Sequence, residues 1–273
     1  MIGKLIRHDA RRNLPLIGII LGASTLLTLA GIALSLTGHE VMSQLGLVTS
    51  AISCSVLLAG VQLALGIDYW RSAHSRLGYF AQTLPVRGRV IFWAKFLWAG
   101  LVTIVATLWT LVLFLLMLMA NADSFETTPG QILSELSAGL SYLMGALSGW
   151  AWVALPVAAL VLLMSAVVQY FFAASIGSQR LFNSMGWGGP VVVWFILYVA
   201  LQLIMLAALF LIPVALFIGD GTISVEVVQF LQLIRDGDDA AYFPLGMFFA
   251  MIVVFVGLIW WTIRSLEHRV ALT

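Results

Sequence analysis

The sequence predicts an all-α polytopic membrane protein with six transmembrane helices and both termini in the cytoplasm. The 273 residues are 62% hydrophobic and only 9% charged, whereas soluble domains are nearer half apolar and a quarter charged. Apolar stretches of roughly 20 residues, the length that crosses a hydrocarbon core of about 30 Å, recur along the chain. The basic residues are also concentrated in every second segment that connects or flanks these stretches.

Six apolar stretches meet the length criterion. They lie near residues 14–37, 45–67, 93–120, 138–170, 190–218 and 245–263, and together they predict one transmembrane domain that covers residues 1–273. Residues 136–219 contain a single charge, Arg180, and are long enough for three spans. The polar, Gly- and Pro-containing segment 175–190 favours two long helices joined by one loop, with a kink expected at Pro156.

Orientation follows from the distribution of charge. With six spans, twelve of the thirteen basic residues fall on one side, and Arg235 alone falls on the other. Nine of the twelve acidic residues fall on the side opposite to the basic majority. By the positive-inside rule, both termini and the 68–92 loop are predicted to be cytoplasmic.

The N-terminal stretch before Pro15 predicts a short amphipathic helix that lies along the cytoplasmic interface. Its apolar and basic residues separate onto two helical sides, as interfacial helices require. The residues assigned to this interface helix are Lys4, Leu5, Arg7 and Arg11. The alternative is that these charges only fix the topology.

Two segments on the predicted outer side have local structural signals. Thr128 is a capping residue, followed by Pro129 and then by Gln131 three residues after the cap, so a helix is expected to begin there and run into the fourth span. Residues 225–234 are apolar enough to lie in the outer leaflet, and interfacial anchoring is favoured there over a bound ligand.

The 68–92 loop is the most unusual segment of the chain. Its centre, RSAHSRLGYFAQTLPVRGR (71–89), contains four arginines and a histidine, yet apolar residues such as Leu77, Tyr79 and Phe80 lie between them. A loop that only fixes topology needs no apolar side chains. Residues 70–80 therefore predict a short helix parallel to the membrane that presses on an apolar surface, with a lipid-headgroup contact as the alternative.

The stretch LGYFAQTLPVRGRVIFWAKFLWAGL (77–101) resembles the segment after the second span of ABC-2 type permeases, the membrane subunits of bacterial ABC transporters. The matching features are Gly78-Tyr79, Thr83-Leu84-Pro85-Val86, the Arg87/Arg89 pair and Lys95. Residues 172–198 resemble, more weakly, the family's loop between spans four and five. Many members have an acidic residue shortly before Gly-Tyr, whereas this chain has His74, Ser75 and Arg76.

The resemblance implies a coupling helix that docks in a cleft of a cytosolic ATPase subunit. In such a transporter, two ATPase subunits hold ATP and Mg²⁺ and drive two permeases, identical or different, in a bacterial cell membrane. The residues expected to form the coupling element are Arg71, His74, Arg76, Leu77, Gly78, Tyr79, Leu84 and Pro85. The interface helix would brace the same contact, and export is the direction that the family implies.

Motifs for chemistry within the chain are missing from the sequence. A phosphate-binding loop would need GxxxxGK[ST], and neither Lys4 nor Lys95 lies in such a setting. His39-Glu40 begins HExxH, but Ser43 occupies the position of the second histidine. No catalytic residue, metal site, cofactor or nucleic-acid partner is therefore expected, and an intramembrane enzyme is disfavoured.

The transport pathway is expected to lack ionisable groups, because no predicted span core contains an acidic residue. Its candidate lining residues are Gln62, Trp150, Trp152, Ser165 and Gln169. This lining suits an amphiphilic or hydrophobic cargo such as a lipid, peptide or antibiotic-like molecule. The alternative function is a membrane sensor or scaffold that binds a soluble partner through the 68–92 loop.

Overall fold

The fold is that of a computed structural model that describes residues 2–73, 87–146, 149, 151–179, 182, 185–219, 222–230 and 242–268. Its helices are α1 (Ile2–Ser35), α2 (Glu40–Ala73), α3 (Gly88–Ala120), α4 (Pro129–Ala146), α5 (Ala151–Gly177), α6 (Gly188–Leu211) and α7 (Leu245–His268). Its strands are β1 (Val214–Gly219), β2 (Thr222–Val227) and β3 (Tyr242–Pro244).

Six of these helices, all except α4, are long and apolar enough to cross a membrane, by length and composition. The predicted fold class is thereby confirmed. The cytoplasmic placement of the two termini stays a prediction. The chain divides into two compact units, residues 1–139 and 140–271.

The first unit is built from α1, α2 and α3, which all pack on one another. α1 and α2 form an antiparallel hairpin, because Gly31 meets Gly46 near the turn while Asn13 meets Asp68 at the far end. Ser53 Oγ donates to the backbone carbonyl of Ser24 at 2.8 Å, and Trp109 Nε1 donates to Thr25 Oγ1 at 2.9 Å. Polar side chains within the apolar helices thus hydrogen bond to neighbouring helices, as TM interfaces favour.

Glycine allows the closest approach of α1 and α2. A Cβ added to Gly31 would lie 2.7 Å from the carbonyl oxygen of Gly46 and 2.8 Å from the backbone nitrogen of Ser50. The GxxxG spacings at Gly18–Gly22 and Gly145–Gly149 do not mark such a contact among the described residues, because an added Cβ at any of these four positions would meet nothing within 4 Å.

α1 continues through Pro15 without interruption. The sequence predicted a separate interface helix ending before Pro15, with the first span over 14–37. Proline removes one backbone hydrogen bond, and neighbouring helices can compensate for this in a membrane. The predicted interface helix is consequently the first part of a 34-residue helix, and its orientation to a membrane stays a prediction.

The predicted helix start at Thr128 is confirmed. The Gln131 side chain accepts a hydrogen bond from the Thr128 backbone N–H at 2.8 Å, and Gln131 N–H donates back to Thr128 Oγ1 at 3.3 Å. This reciprocal pair is a capping box. The single span predicted over 138–170 is wrong in its bounds, however, because α4 ends at Ala146 and α5 begins at Ala151.

The fifth span is shorter than predicted. It was expected over 190–218, but α6 ends at Leu211, and Pro213 follows before β1. Proline disfavours helical geometry in the residue before it, and the β-branched and aromatic residues of VALFIG suit a strand. β1 pairs with β2 and β3 in an antiparallel sheet of order β2-β1-β3, so residues 225–227 of the predicted interfacial segment belong to a strand.

The second unit contains α5, α6 and α7, which pack on one another. The buried face of α5 carries Val167, Val168 and Phe171, with the buried Ser175 near its end. Phe172 meets Trp261 of α7 edge-on, with ring centroids 5.5 Å apart. Gln179 Nε2 donates to Ser265 Oγ at 2.9 Å, which fixes the start of the predicted 175–190 loop against α7.

The Gly31–Gly46 contact predicts a sharp difference between two glycines of the same helix. Gly31→Ala should destabilise the protein by about 1–3 kcal/mol, because the new Cβ meets backbone that cannot move without separating the helices. Gly22→Ala is the matched control and should be neutral or stabilising by up to about 1 kcal/mol, because alanine favours helices. Thermal unfolding of the two variants in detergent, followed by tryptophan fluorescence, measures this difference. Equal stability of the two variants would contradict the packing.

Candidate functional site

Five polar side chains form a cluster that joins the three helices of the first unit. Asp9, Arg12 and Asn13 belong to α1, Asp68 to α2 and Lys95 to α3. The α1 residues have the i, i+3, i+4 spacing that puts side chains on one side of a helix. We call these five residues the charged cluster.

Arg12 bridges the two carboxylates of the charged cluster. Its Nη2 lies 3.2 Å from Asp9 Oδ1 and 2.6 Å from Asp68 Oδ2. Lys95 Nζ donates to both oxygens of Asp9 at 3.2 Å. Asn13 Nδ2 donates to Asp68 Oδ2 at 2.9 Å. Each carboxylate therefore has two donors, and each contact joins groups of complementary charge or polarity.

The charged cluster is least exposed where α1 meets α3. The side chains of Lys95 and Asp9 are 9% and 8% exposed, whereas that of Arg12 is 38% exposed. When all four are ionised, the charges of the two acidic and two basic groups sum to zero. Burial makes an unpaired charge expensive, so each buried member depends on its partner.

The charged cluster joins α1 to the two helices that flank, in the sequence, the segment predicted to couple to a partner. α2 ends at Ala73, five residues after Asp68, and α3 begins at Gly88, seven residues before Lys95. The two helix ends that flank residues 74–86 are thus both connected to α1 by ion pairs.

The predicted coupling residues are only partly within the described chain. Arg71 is exposed in the last turn of α2. The other predicted members lie outside the described residues: His74, Arg76, Leu77, Gly78, Tyr79, Leu84 and Pro85. Arg87 and Arg89, the basic pair that follows them, are exposed at the start of α3.

The predicted interface residues separate as the helical period requires. Lys4, Arg7 and Arg11 are exposed, and Leu5 is partly buried. Asp9 and Asn13, on the other side of α1, are buried. The exposed Lys4, Arg7 and Arg11 therefore lie on a different side of α1 from the buried Asp9 and Asn13.

A second candidate site is a cleft in the second unit, formed by α5, α6 and α7. Its volume is about 210 Å³. The residues that line it are Ser165, Gln169, Tyr198, Leu201, Gln202, Met205, Met251, Val254, Phe255 and Leu258. Two of the predicted pathway residues, Ser165 and Gln169, thus come together in one cleft.

The other predicted pathway residues do not join this cleft. Gln62 is buried in α2 of the first unit. Trp152 is 47% exposed in the first turn of α5 and is not among the lining residues. Trp150 lies outside the described residues. Their proposed role in a pathway is therefore not supported by a shared cavity.

Sequence reasoning missed the charged cluster and eight of the ten residues that line the cleft. In the sequence, Asp9 and Asp68 contribute only to the count of acidic residues, and Lys95 is a feature of the family resemblance. One signal could have revealed the cluster, because Asp9 lies on the apolar side of an amphipathic helix and such a carboxylate needs a cationic partner. For Tyr198 and Gln202, the sequence gives no comparable signal, because the packing of α6 on α5 decides which of its sides lines the cleft.

Neither site has the composition of a metal centre. Within the described ranges, no three His, Cys, Asp or Glu side chains come together to hold a metal ion. The charged cluster holds helices together, and the cleft presents amides and hydroxyls to an apolar space. The first arrangement can transmit movement, and the second can bind an uncharged molecule.

Comparisons with known proteins identify no relative. No protein-family model matches the chain, and no match is found among curated proteins or solved structures.

The charged cluster predicts a strong effect of removing one buried partner. Lys95→Met should destabilise the protein by about 3–5 kcal/mol, because the buried Asp9 carboxylate loses its most buried partner. Adding Asp9→Asn should restore much of the loss, because Arg12 can still pair with Asp68. Thermal unfolding in detergent measures both variants.

The matched control for this experiment is Lys4→Met, which removes the same charge from the exposed side of α1. It should leave the stability within about 0.5 kcal/mol of the unaltered protein, as surface substitutions usually do. If Lys4→Met and Lys95→Met lowered the stability equally, the ion pair would not be a support of the fold.

Proposed function

We propose that this chain is the membrane permease subunit of an ABC-2 type transporter, with its ATPase on a separate polypeptide. The observation that carries the proposal is the charged cluster beside residues 74–86. It connects both helix ends that flank this segment to α1, and the segment has the sequence features that resemble the family's coupling element. A partner that moved this segment would move three helices together.

The ion pairs explain how such a movement would spread. Displacement of the end of α2 acts on Asp68, which is hydrogen bonded to Arg12 and Asn13 of α1. Displacement of the start of α3 acts on Lys95, which is hydrogen bonded to Asp9 of α1. The buried Lys95–Asp9 pair is costly to separate, so α1 follows α3. The more exposed Asp68 is held to α1 by two hydrogen bonds, from Arg12 and Asn13.

The permease would work as a pair, identical or mixed, with two cytosolic ATPase subunits that hold ATP and Mg²⁺. Its location would be the inner membrane of a bacterial cell, with both termini and residues 74–86 in the cytoplasm. Its cargo would be amphiphilic or hydrophobic and its direction export. Six apolar helices and the sparse charge of their cores support this cargo class over small ions.

The alternative is a membrane sensor or scaffold that binds a soluble partner through the same loop. The charged cluster would then hold the loop in a binding conformation instead of transmitting force. The two functions differ in one measurable property, because only a permease stimulates nucleotide hydrolysis by its partner.

Co-purification from the native host tests the proposal directly. We expect a tagged chain, extracted in mild detergent, to bring with it a soluble subunit that has a phosphate-binding loop and hydrolyses ATP. Mass spectrometry identifies the subunit, and its copy number relative to this chain separates one permease type from two. A partner without any nucleotide site would exclude the transporter and favour the scaffold.

Substitution of two apolar residues in the coupling segment tests its role. Leu77→Asp together with Tyr79→Ala should leave the protein folded but lower ATPase binding about tenfold or more, because two apolar contacts are lost. The measurement is ATPase affinity and cargo-stimulated hydrolysis in nanodiscs.

The matched control places the same kinds of change on exposed residues of the predicted outer side. Val227→Asp together with Phe125→Ala removes one aliphatic and one aromatic side chain that are 80% and 48% exposed. It should leave ATPase binding unchanged. Unaltered binding and hydrolysis in the Leu77/Tyr79 variant would contradict the assignment of the coupling segment.

A further inference from the structure

Two carboxamide side chains line the cleft of the second unit without a protein partner. Gln169 belongs to α5 and Gln202 to α6, and both line the cleft. Within the described ranges, neither side chain makes a hydrogen bond to another residue. The nearby Ser165 hydroxyl differs, because it donates to the backbone carbonyl of Leu162 at 2.7 Å.

These two amides lie far from the ends of their helices, where a side chain without a hydrogen-bond partner is unusual. Gln169 lies eight residues before the end of α5 and Gln202 lies fourteen residues after the start of α6. At 1.5 Å per residue these distances are about 12 and 21 Å, so both amides lie deep within helices that are apolar enough to span a membrane. Lipid chains offer no hydrogen bonds, so an amide at such a depth is costly unless something binds it.

The remaining wall of the cleft is apolar or aromatic. Met205 of α6 and Met251 and Phe255 of α7 line it. Tyr198 also lines it, and its ring is stacked on Trp194, with centroids 5.7 Å apart. A few polar groups that converge on an apolar wall are typical of small-molecule sites, and flexible methionines adapt to varied apolar ligands.

We infer that this cleft binds the uncharged, hydrogen-bonding head of an amphiphile, held by the Gln169 and Gln202 amides, with its chain against the methionines. Each amide offers a donor and an acceptor, so a neutral amide or alcohol, which both donates and accepts, satisfies both. Apart from the Tyr198 phenol, none of the lining residues is ionisable. A charged head would therefore enter without a counterion, at a high desolvation cost.

The size of the cleft fits a head group and the first part of a chain. An engineered cavity of 150 Å³ is known to hold benzene, and this cleft has about 210 Å³. An α-helix has a diameter of about 10–12 Å with its side chains, so a helix of a second copy is too wide to enter. A lipid-sized amphiphile would leave most of its chain among the surrounding lipids.

The identification of this amphiphile as cargo rests on the proposed function, whereas the binding itself does not. The test is therefore made without any ATPase. If the cleft is labelled but no ATPase co-purifies with the chain, the cleft is a lipid site in a protein that is not a transporter. If an ATPase co-purifies but the cleft is not labelled, the transporter proposal stands and this site is overturned.

The experiment uses the full chain in phosphatidylcholine nanodiscs and a photoreactive dodecanamide with a diazirine in its chain. After illumination, mass spectrometry locates the labelled peptides. We expect saturable labelling of α5, α6 and α7 that unlabelled dodecanamide prevents. Dodecanoate and dodecyltrimethylammonium, which have charged heads on similar chains, should compete more weakly by a factor of about ten or more. Equal competition by either charged compound would overturn the inference.

Two pairs of variants separate binding from folding. Leu201→Trp fills the cleft and should reduce labelling about tenfold or more, whereas Leu203→Trp, at a position 62% exposed on the same helix, should change it by no more than about twofold. Gln169→Leu with Gln202→Leu should also abolish saturable labelling, yet unfold at the same or a higher temperature, because two unpaired amides are removed.

The outcomes that contradict the site are equally distinct. Labelling that does not saturate, or that Leu201→Trp and Leu203→Trp lower equally, would mean nonspecific contact with the lipid-facing surface. Disulfide cross-links between two copies of a Gln202→Cys variant would mean that a second subunit covers the cleft. A loss of stability in the double Leu variant would mean that the amides support the fold and do not await a ligand.

Discussion

A buried carboxylate requires a cation within hydrogen-bond distance, and Asp9 has one on its own helix and another on α3. Lys95 donates to both of its oxygens, and Arg12 connects it to Asp68 of α2. The three helices of the first unit are thus held in one register by groups that lipid cannot solvate. Apolar contacts between helices tolerate sliding, whereas these ion pairs do not, so they fix the relative heights of α1, α2 and α3.

The two ends of the α1–α2 hairpin are fixed by different physics. Near the turn, Gly31 and Gly46 let the backbones approach so closely that no Cβ fits between them. At the other end, Arg12 and Asn13 bind Asp68. The glycine contact supplies close packing and the charges supply register, and α3 is added through Lys95. In the second unit, an aromatic contact joins α5 to α7, and a neutral hydrogen bond from Gln179 to Ser265 ties the residues after α5 to α7.

Features set by local sequence were predictable, and features set by packing were not. The apolar runs gave the six long helices, and the spacing of Thr128 and Gln131 gave the capping box, because both depend on neighbouring residues only. Pro213 and the β-branched residues after it are a strand signal, but the continuous hydrophobicity of residues 190–218 is equally typical of a membrane span. The pairing of Asp9 with Lys95 and the meeting of Gln169 with Gln202 depend on how helices face one another, which periodicity alone does not determine.

The sequence distance between Asp9 and Lys95 has a consequence for synthesis. The two residues are 86 positions apart, so at about 5–20 residues per second the carboxylate is made roughly 4–17 seconds before its main counterion. During that interval Arg12, three residues away, is the partner that the nascent helix itself supplies. Arg12 therefore serves as a temporary counterion, and the ion pairing of Asp9 is complete only when the third helix arrives.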